Sequence, residues 1–151
     1  MDYTTYESLH EIIRNTISNK YTLAVANITF LEELESKNFV VYITQLRDAF
    51  THLMNIYSVD IFTRKSYVLE QLERVNGHLE RIVIDTYRKI CDYFLKTIRN
   101  TKRRKDIPAF ELQIAMKVRD LRLSNESMTF DKKRDGFQEI IEYMENIINS
   151  K

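Results

Sequence analysis

Residues Arg64–Ile98, RKSYVLEQLERVNGHLERIVIDTYRKICDYFLKTI, decide the fold class. Apolar residues return there at three- and four-residue steps, with Leu69, Leu72, Leu79, Val83, Ile90 and Phe94 along one stripe. Side chains repeat their direction at that interval on an α-helix, whereas a strand alternates at every second residue. No proline interrupts the run, and Gly77 is its one weak helix former. The stretch predicts a single long helix.

The same period extends in both directions. Upstream, Tyr6 to Ile17 carries Leu9, Ile12, Ile13 and Ile17 on one face, and Asn19 offers a stop. Tyr21 to Leu34 reads as a second helix, although its β-branched residues weaken the pattern. Residues 35–38 look like a connection, and Phe39 to Tyr57 forms a third helix. Its expected core stripe is Val40, Ile43, Leu46, Phe50, Leu53, Met54 and Tyr57. Downstream, the basic run 99–105 ends at Asp106-Ile107-Pro108, where Asp106 can cap a fifth helix reaching Leu123 and Pro108 suits its first turn. Residues 124–127 read as a loop, and a sixth helix spans Asp131 to Ile148 with Phe137, Ile140, Ile141, Met144, Ile147 and Ile148 inward.

Two glycines and one proline in 151 residues agree with long helices and few tight corners. The expected fold is all-α, a four- to six-helix up-and-down bundle with a C-terminal helical pair. The expected division is a bundle over 1–98, a basic connector over 99–107, and the pair over 108–151.

Composition excludes several classes. Apolar residues make up 44% and charged residues 30%, which suits a globular chain and not a disordered one. The net charge of +1 makes no case for nucleic acid, so any such case must come from local patches. Cys91 is the single cysteine, which rules out an intramolecular disulfide and a cysteine-based metal site. The N-terminus lacks the basic start and apolar run of a signal peptide, and no segment reaches membrane-spanning length. A cytoplasmic protein without membrane association is expected. Two glycines cannot build a glycine-rich phosphate loop, and the three histidines show no ligand spacing on one helix, so no metal or cofactor is expected.

The densest ionisable chemistry lies in Arg47-Asp48-Ala49-Phe50-Thr51-His52. Arginine grips phosphate with a two-pronged donor set, and histidine exchanges a proton near neutral pH. On a straight helix Arg47 and His52 diverge by about 140° and stand about 7.5 Å apart along the axis. They reach one substrate only if the helix lines a groove or a second copy of the chain completes the site.

A second polar face runs along the long helix as Arg74, His78, Arg81 and Asp85, at steps of four, three and four. It is either a solvated face with ion pairs or the other wall of the same cleft. Asn76 falls between Leu72 and Leu79 on the expected buried stripe, where it can fix register or orient neighbouring groups. His10 flanks an apolar stripe and reads as structural. The basic run, with Arg103 and Arg104 at its centre, is either a solvated connector or a contact for RNA phosphates.

An arginine, then an acidic residue, then histidine at the fifth position, on a mid-chain helix of a small all-α protein, resembles the HEPN superfamily. The matching residues are Arg47, Asp48 and His52, and the resemblance covers about Tyr6 to Ile98. It implies a helical bundle that dimerises and cuts RNA without a metal, as many members do in toxin–antitoxin and anti-phage systems. It makes His52 the general acid/base and Arg47 the stabiliser of the phosphate, with Asp48 orienting Arg47. Asn76, His78, Arg81, Arg103 and Arg104 are the candidate RNA-binding residues. The implied partners are RNA, a second copy of the chain, and an antitoxin or defence-complex protein. A sub-branch of the family carries a modifiable tyrosine two residues after the histidine; this chain has Met54 there, and Tyr57 reads as core. The competing readings are a non-catalytic interaction or dimerisation module, and an RNA-binding subunit.

Overall fold

The computed structural model describes residues 3–101, 107–123 and 128–149. They are helical throughout apart from short turns, with no strand among them, as the periodicity requires. Helix α1 (Tyr6–Ile13) passes through a π-helical segment (Arg14–Ser18) directly into α2 (Asn19–Glu35). Helix α3 spans Val40–Tyr57, α4 Lys65–Thr101, α5 Ile107–Leu123 and α6 Phe130–Asn149. None of the described helices is long and apolar enough to cross a membrane.

Local sequence accounts for the ends. Thr5 caps α1 by accepting from the Ser8 amide, while the Ser8 hydroxyl receives the Thr5 amide in return. Ser36 stops α2 in the left-handed conformation, φ 51° and ψ 40°. Asp60 then turns the chain into α4 by accepting the amides of Phe62 and Thr63. Pro108 lies in the first turn of α5, the position that tolerates its missing N–H.

Asn19 does not stop the first helix. It holds right-handed helical angles, φ −63° and ψ −41°, and the apolar pattern is re-phased inside the helix. A π-turn accommodates an extra residue without ending the rod. Leu9 before the π-turn, Ile17 within it, and Ala24, Ile28 and Leu31 after it are therefore all buried.

The chain packs as two compact units, Met1–Val83 and Ile84–Lys151, whose boundary falls inside α4. The sequence reading divides the chain later, at 99–107. Residues 102–106 of that run, including Arg103 and Arg104, lie outside the described residues. In the first unit α4 contributes Val68, Leu72, Val75, Leu79, Ile82 and Val83 to the core. Full burial of each such side chain is worth roughly 1.5–3 kcal/mol. In the second unit Tyr87 stacks on Phe137 at 6.1 Å, and the Tyr87 hydroxyl accepts from Gln138 at 3.0 Å. Gly136 lets α6 close on α5, because a Cβ there would lie 2.7 Å from a Leu121 methyl. Cys91 is fully buried and its thiol is pushed up to about 12 by desolvation, with Asp92 adding to the rise, so it is an inert core residue.

The expected core stripe of α3 is corrected most. Its buried ridge is Tyr42, Ala49 and Ile56, spaced at sevens. Val40, Ile43, Phe50, Met54 and Tyr57 are exposed, Phe50 at 61% and Tyr57 at 53%. The helix is apolar on two sides, and the small Ala49 side is the one packed inward. Tyr57 is accordingly not a core residue.

Candidate active site

Two polar stripes face each other within the first unit. On α3, Gln45, Asp48, His52 and Asn55 share one flank of the buried ridge, since they follow each other at three- and four-residue steps. On α4 the same steps align Gln71, Arg74, His78 and Arg81. Hydrogen bonds tie the stripes directly to each other.

The bracing is reciprocal. Gln71 of α4 meets His52 of α3, with its carboxamide oxygen 2.8 Å from Nδ1. Gln45 of α3 meets His78 of α4, its carboxamide oxygen 2.7 Å from Nδ1. An oxygen at Nδ1 accepts, so Nδ1 of each ring donates and carries the proton in the neutral imidazole. Nε2 of each ring then keeps the lone pair. Asn55 also donates to the Gln71 oxygen at 3.4 Å, which supports that orientation of the amide. Gln71 is only 4% exposed, so these two donors supply the partners a buried amide oxygen needs. The imidazoles stack with centroids 5.4 Å apart and planes tilted by 21°.

Arg47 reaches across α3 to Asp48, Nη2 standing 3.2 Å and Nε 3.4 Å from the same carboxylate oxygen. The Arg47 side chain is 71% exposed, and an ion pair of that kind contributes about 0–1 kcal/mol, so the guanidinium is easily recruited by a stronger anion. Arg81 is exposed on the His78 face. Arg74 is engaged by Glu70 at 2.6 Å, the i,i+4 pair of a solvated helix face.

His78 is held below the ordinary imidazole pKa of 6.5, chiefly by burial. The neighbouring His52 and the Arg81 charge push the same way, and Asp48 opposes them. An unfolded chain protonates this group near pH 6.5, while the folded chain resists until lower pH. Its contribution to stability is therefore complete above pH 6.5 and is lost as pH falls through the depressed folded value. Urea unfolding at pH 7.5 and pH 5.5 should show the wild type losing more stability on acidification than His78→Gln. Equal losses in the two proteins would contradict this.

Asn76 belongs elsewhere. It diverges from His78 by about 160° around α4 and is half-buried rather than core. Its side chain accepts from Lys20 of α2 at 2.6 Å and donates to Glu80 at 3.0 Å, with Lys20 also paired to Glu80 at 2.6 Å. That network braces α2 against α4 and does not orient His52. His10 is exposed, its ring 6.2 Å from that of Tyr57.

The residues that sequence reading passed over are Gln45, Gln71 and Asn55. Their signal was the same three-four step that singles out the charged residues, carried by uncharged amides. On the other side of α3 an apolar concavity of about 370 Å³ lies between the α1–α2 rod and the α3–α4 pair, lined by Ile13, Ile17, Tyr21, Phe50, Leu53 and Leu79, with Arg14 the one charged residue in it. Among the described residues no group of three or more His, Cys, Asp or Glu side chains is arranged to hold a metal ion. Comparison with family models, curated proteins and solved structures finds no match to this chain.

Proposed function

We propose that this chain is a metal-independent endoribonuclease of the HEPN type. The observation that carries the reading is His52, its Nδ1–H fixed by Gln71 and its Nε2 left to exchange a proton, one helical turn from Asp48 and its Arg47 partner. Cleavage proceeds by attack of the 2′-oxygen on the adjacent phosphorus. The O2′–P bond forms, the P–O5′ bond breaks, and the products are a 2′,3′-cyclic phosphate and a 5′-hydroxyl. His52 serves proton transfer, while Arg47 leaves its exposed pair with Asp48 to neutralise the phosphorane charge. Arg81 adds positive charge on the facing wall. The polar stripes of α3 and α4 meet within one chain, and Arg47, on the neighbouring exposed face of α3, connects to them through Asp48. The reading predicts RNA cleavage that persists in EDTA and leaves cyclic phosphate ends. A toxin or anti-phage role, with an antitoxin or defence-complex partner, would show as toxicity on expression that disappears in His52→Ala.

The exposed face of α3 supports a homodimer. Val40 and Tyr57, Ile43 and Met54, and Arg47 and Phe50 lie at equal distances on either side of a point between Asp48 and Ala49. A two-fold antiparallel packing of α3 on its copy needs such a self-complementary order, and it sets Arg47 of one chain against Phe50 of the other. The helix offers roughly 27 Å of length for the contact. Phe50→Asp should therefore turn a dimer into a monomer in sedimentation or light scattering, with helical content unchanged; an unaltered mass would exclude this face as the interface. The same face favours the second reading, a non-catalytic dimerisation or partner-binding module. Absence of RNA cleavage together with a dimer that Phe50→Asp dissociates would select it.

A further inference from the structure

Helices α3 and α4 each present one imidazole, and each imidazole is held by an amide from the other helix. Strand scission of RNA needs two proton transfers on different oxygens: one removed from the 2′-hydroxyl and one delivered to the departing 5′-oxygen. A single histidine can serve only one of them at a time. We propose that His52 and His78 divide the work, His78 as the base that takes the 2′-hydroxyl proton and His52 as the acid that protonates the 5′-oxygen. The proposal rests on the ribonuclease reading and adds to it a second catalytic residue.

The geometry suits the division. Both rings carry their proton at Nδ1 when neutral, so each has Nε2 for the substrate, and a centroid separation of 5.4 Å places them on one phosphodiester linkage. At that distance His52 disfavours a charge on His78. Burial disfavours a charge on His78 most, His52 on α3 and Arg81 on its own helix act the same way, and Asp48 opposes them. His78 is thereby kept neutral and suited to accept a proton, which leaves delivery of a proton to His52. During cleavage Nε2 of His78 accepts the 2′-proton as O2′–P forms. O5′ leaves with the proton from His52, and exchange with solvent resets the pair. His78 is then a neutral base and not the phosphate-binding cation that its place on a basic face suggests.

The experiment compares ordinary RNA with RNA carrying a bridging 5′-sulfur at the scissile linkage, since a thiolate departs without a proton. Wild-type protein, His52→Ala, His78→Ala and His78→Gln are assayed on both, with circular dichroism to verify folding. On ordinary RNA all three variants should lose about 10²–10⁴-fold. On the 5′-thio substrate His52→Ala should recover toward the wild-type rate, and neither His78 variant should. The rate on ordinary RNA should be bell-shaped in pH, and the alkaline limb should vanish on the 5′-thio substrate. His78 variants that cut ordinary RNA at the wild-type rate would overturn the pair and leave the ribonuclease reading standing. A His52→Ala defect of equal size on both substrates would overturn the assignment of acid and base. Wild-type protein that cuts neither substrate would overturn both this proposal and the ribonuclease reading.

Discussion

His52→Ala is expected to reduce RNA cleavage by about 10²–10⁴-fold and to leave the protein folded. The magnitude is that of a positioned proton-transfer group. The intact fold follows from the neighbourhood: His52 is half-buried rather than core, and the Gln71 oxygen it releases keeps Asn55 as a donor. Arg47→Ala should cost about 10²–10³-fold, the usual loss when one donor to a developing oxyanion is removed. Its exposed position predicts almost no change in stability. Rates on a defined RNA, measured beside thermal unfolding of the same preparations, separate chemistry from folding. A His52→Ala protein that unfolds like the wild type and cuts as fast would remove His52 from the mechanism.

The largest effect on stability is expected at Leu72. It is 2% exposed within the stripe that α4 buries in the first unit. Leu72→Ala should cost about 2–5 kcal/mol, the lost transfer energy plus the cavity that the surrounding helices cannot close. For a chain of this length each kcal/mol lowers the melting temperature by about 2–4 °C. Phe50 is the larger side chain but lies outside, so Phe50→Ala should cost far less when both are measured on monomer. A loss within about 0.5 kcal/mol for Leu72→Ala, the range of ordinary surface changes, would contradict the packing described.

The contrast between Leu72 and Phe50 marks where the sequence is informative. On α4 the apolar stripe occupies one flank, and a single pattern of period 3.6 identifies Leu72, Leu79, Val83, Ile90 and Phe94 as buried without any knowledge of neighbours. On α3 large apolar residues lie on one side and a mixed ridge containing Ala49 on another. Periodicity alone favours the bulkier side, which the described chain leaves exposed. Continuity from α1 to α2 was hidden for a related reason. Asn19 carries a residue type that often ends helices, and the π-turn that absorbs the change of phase has no composition of its own.

The charged half of the candidate site was legible. Arg47, Asp48 and His52, and the face of Arg74, His78 and Arg81, stand out by residue type and spacing, and Asp48, His52, His78 and Arg81 lie near one another between α3 and α4. The amides that fix the ring tautomers were not legible, because glutamine on a helix is ordinarily solvated and nothing in one strand of sequence tells which glutamine faces which histidine. Asn76 misled for the opposite reason: it interrupts an apolar run, and its partners Lys20 and Glu80 are visible only once α2 packs on α4.

The most direct test of the account is the end group left on RNA by purified protein in EDTA, compared with that left by His52→Ala. Acid–base cleavage at the α3–α4 histidines predicts fragments ending in 2′,3′-cyclic phosphate from the wild type and intact RNA from the variant. Intact RNA in both, or cleavage that EDTA abolishes, would contradict it.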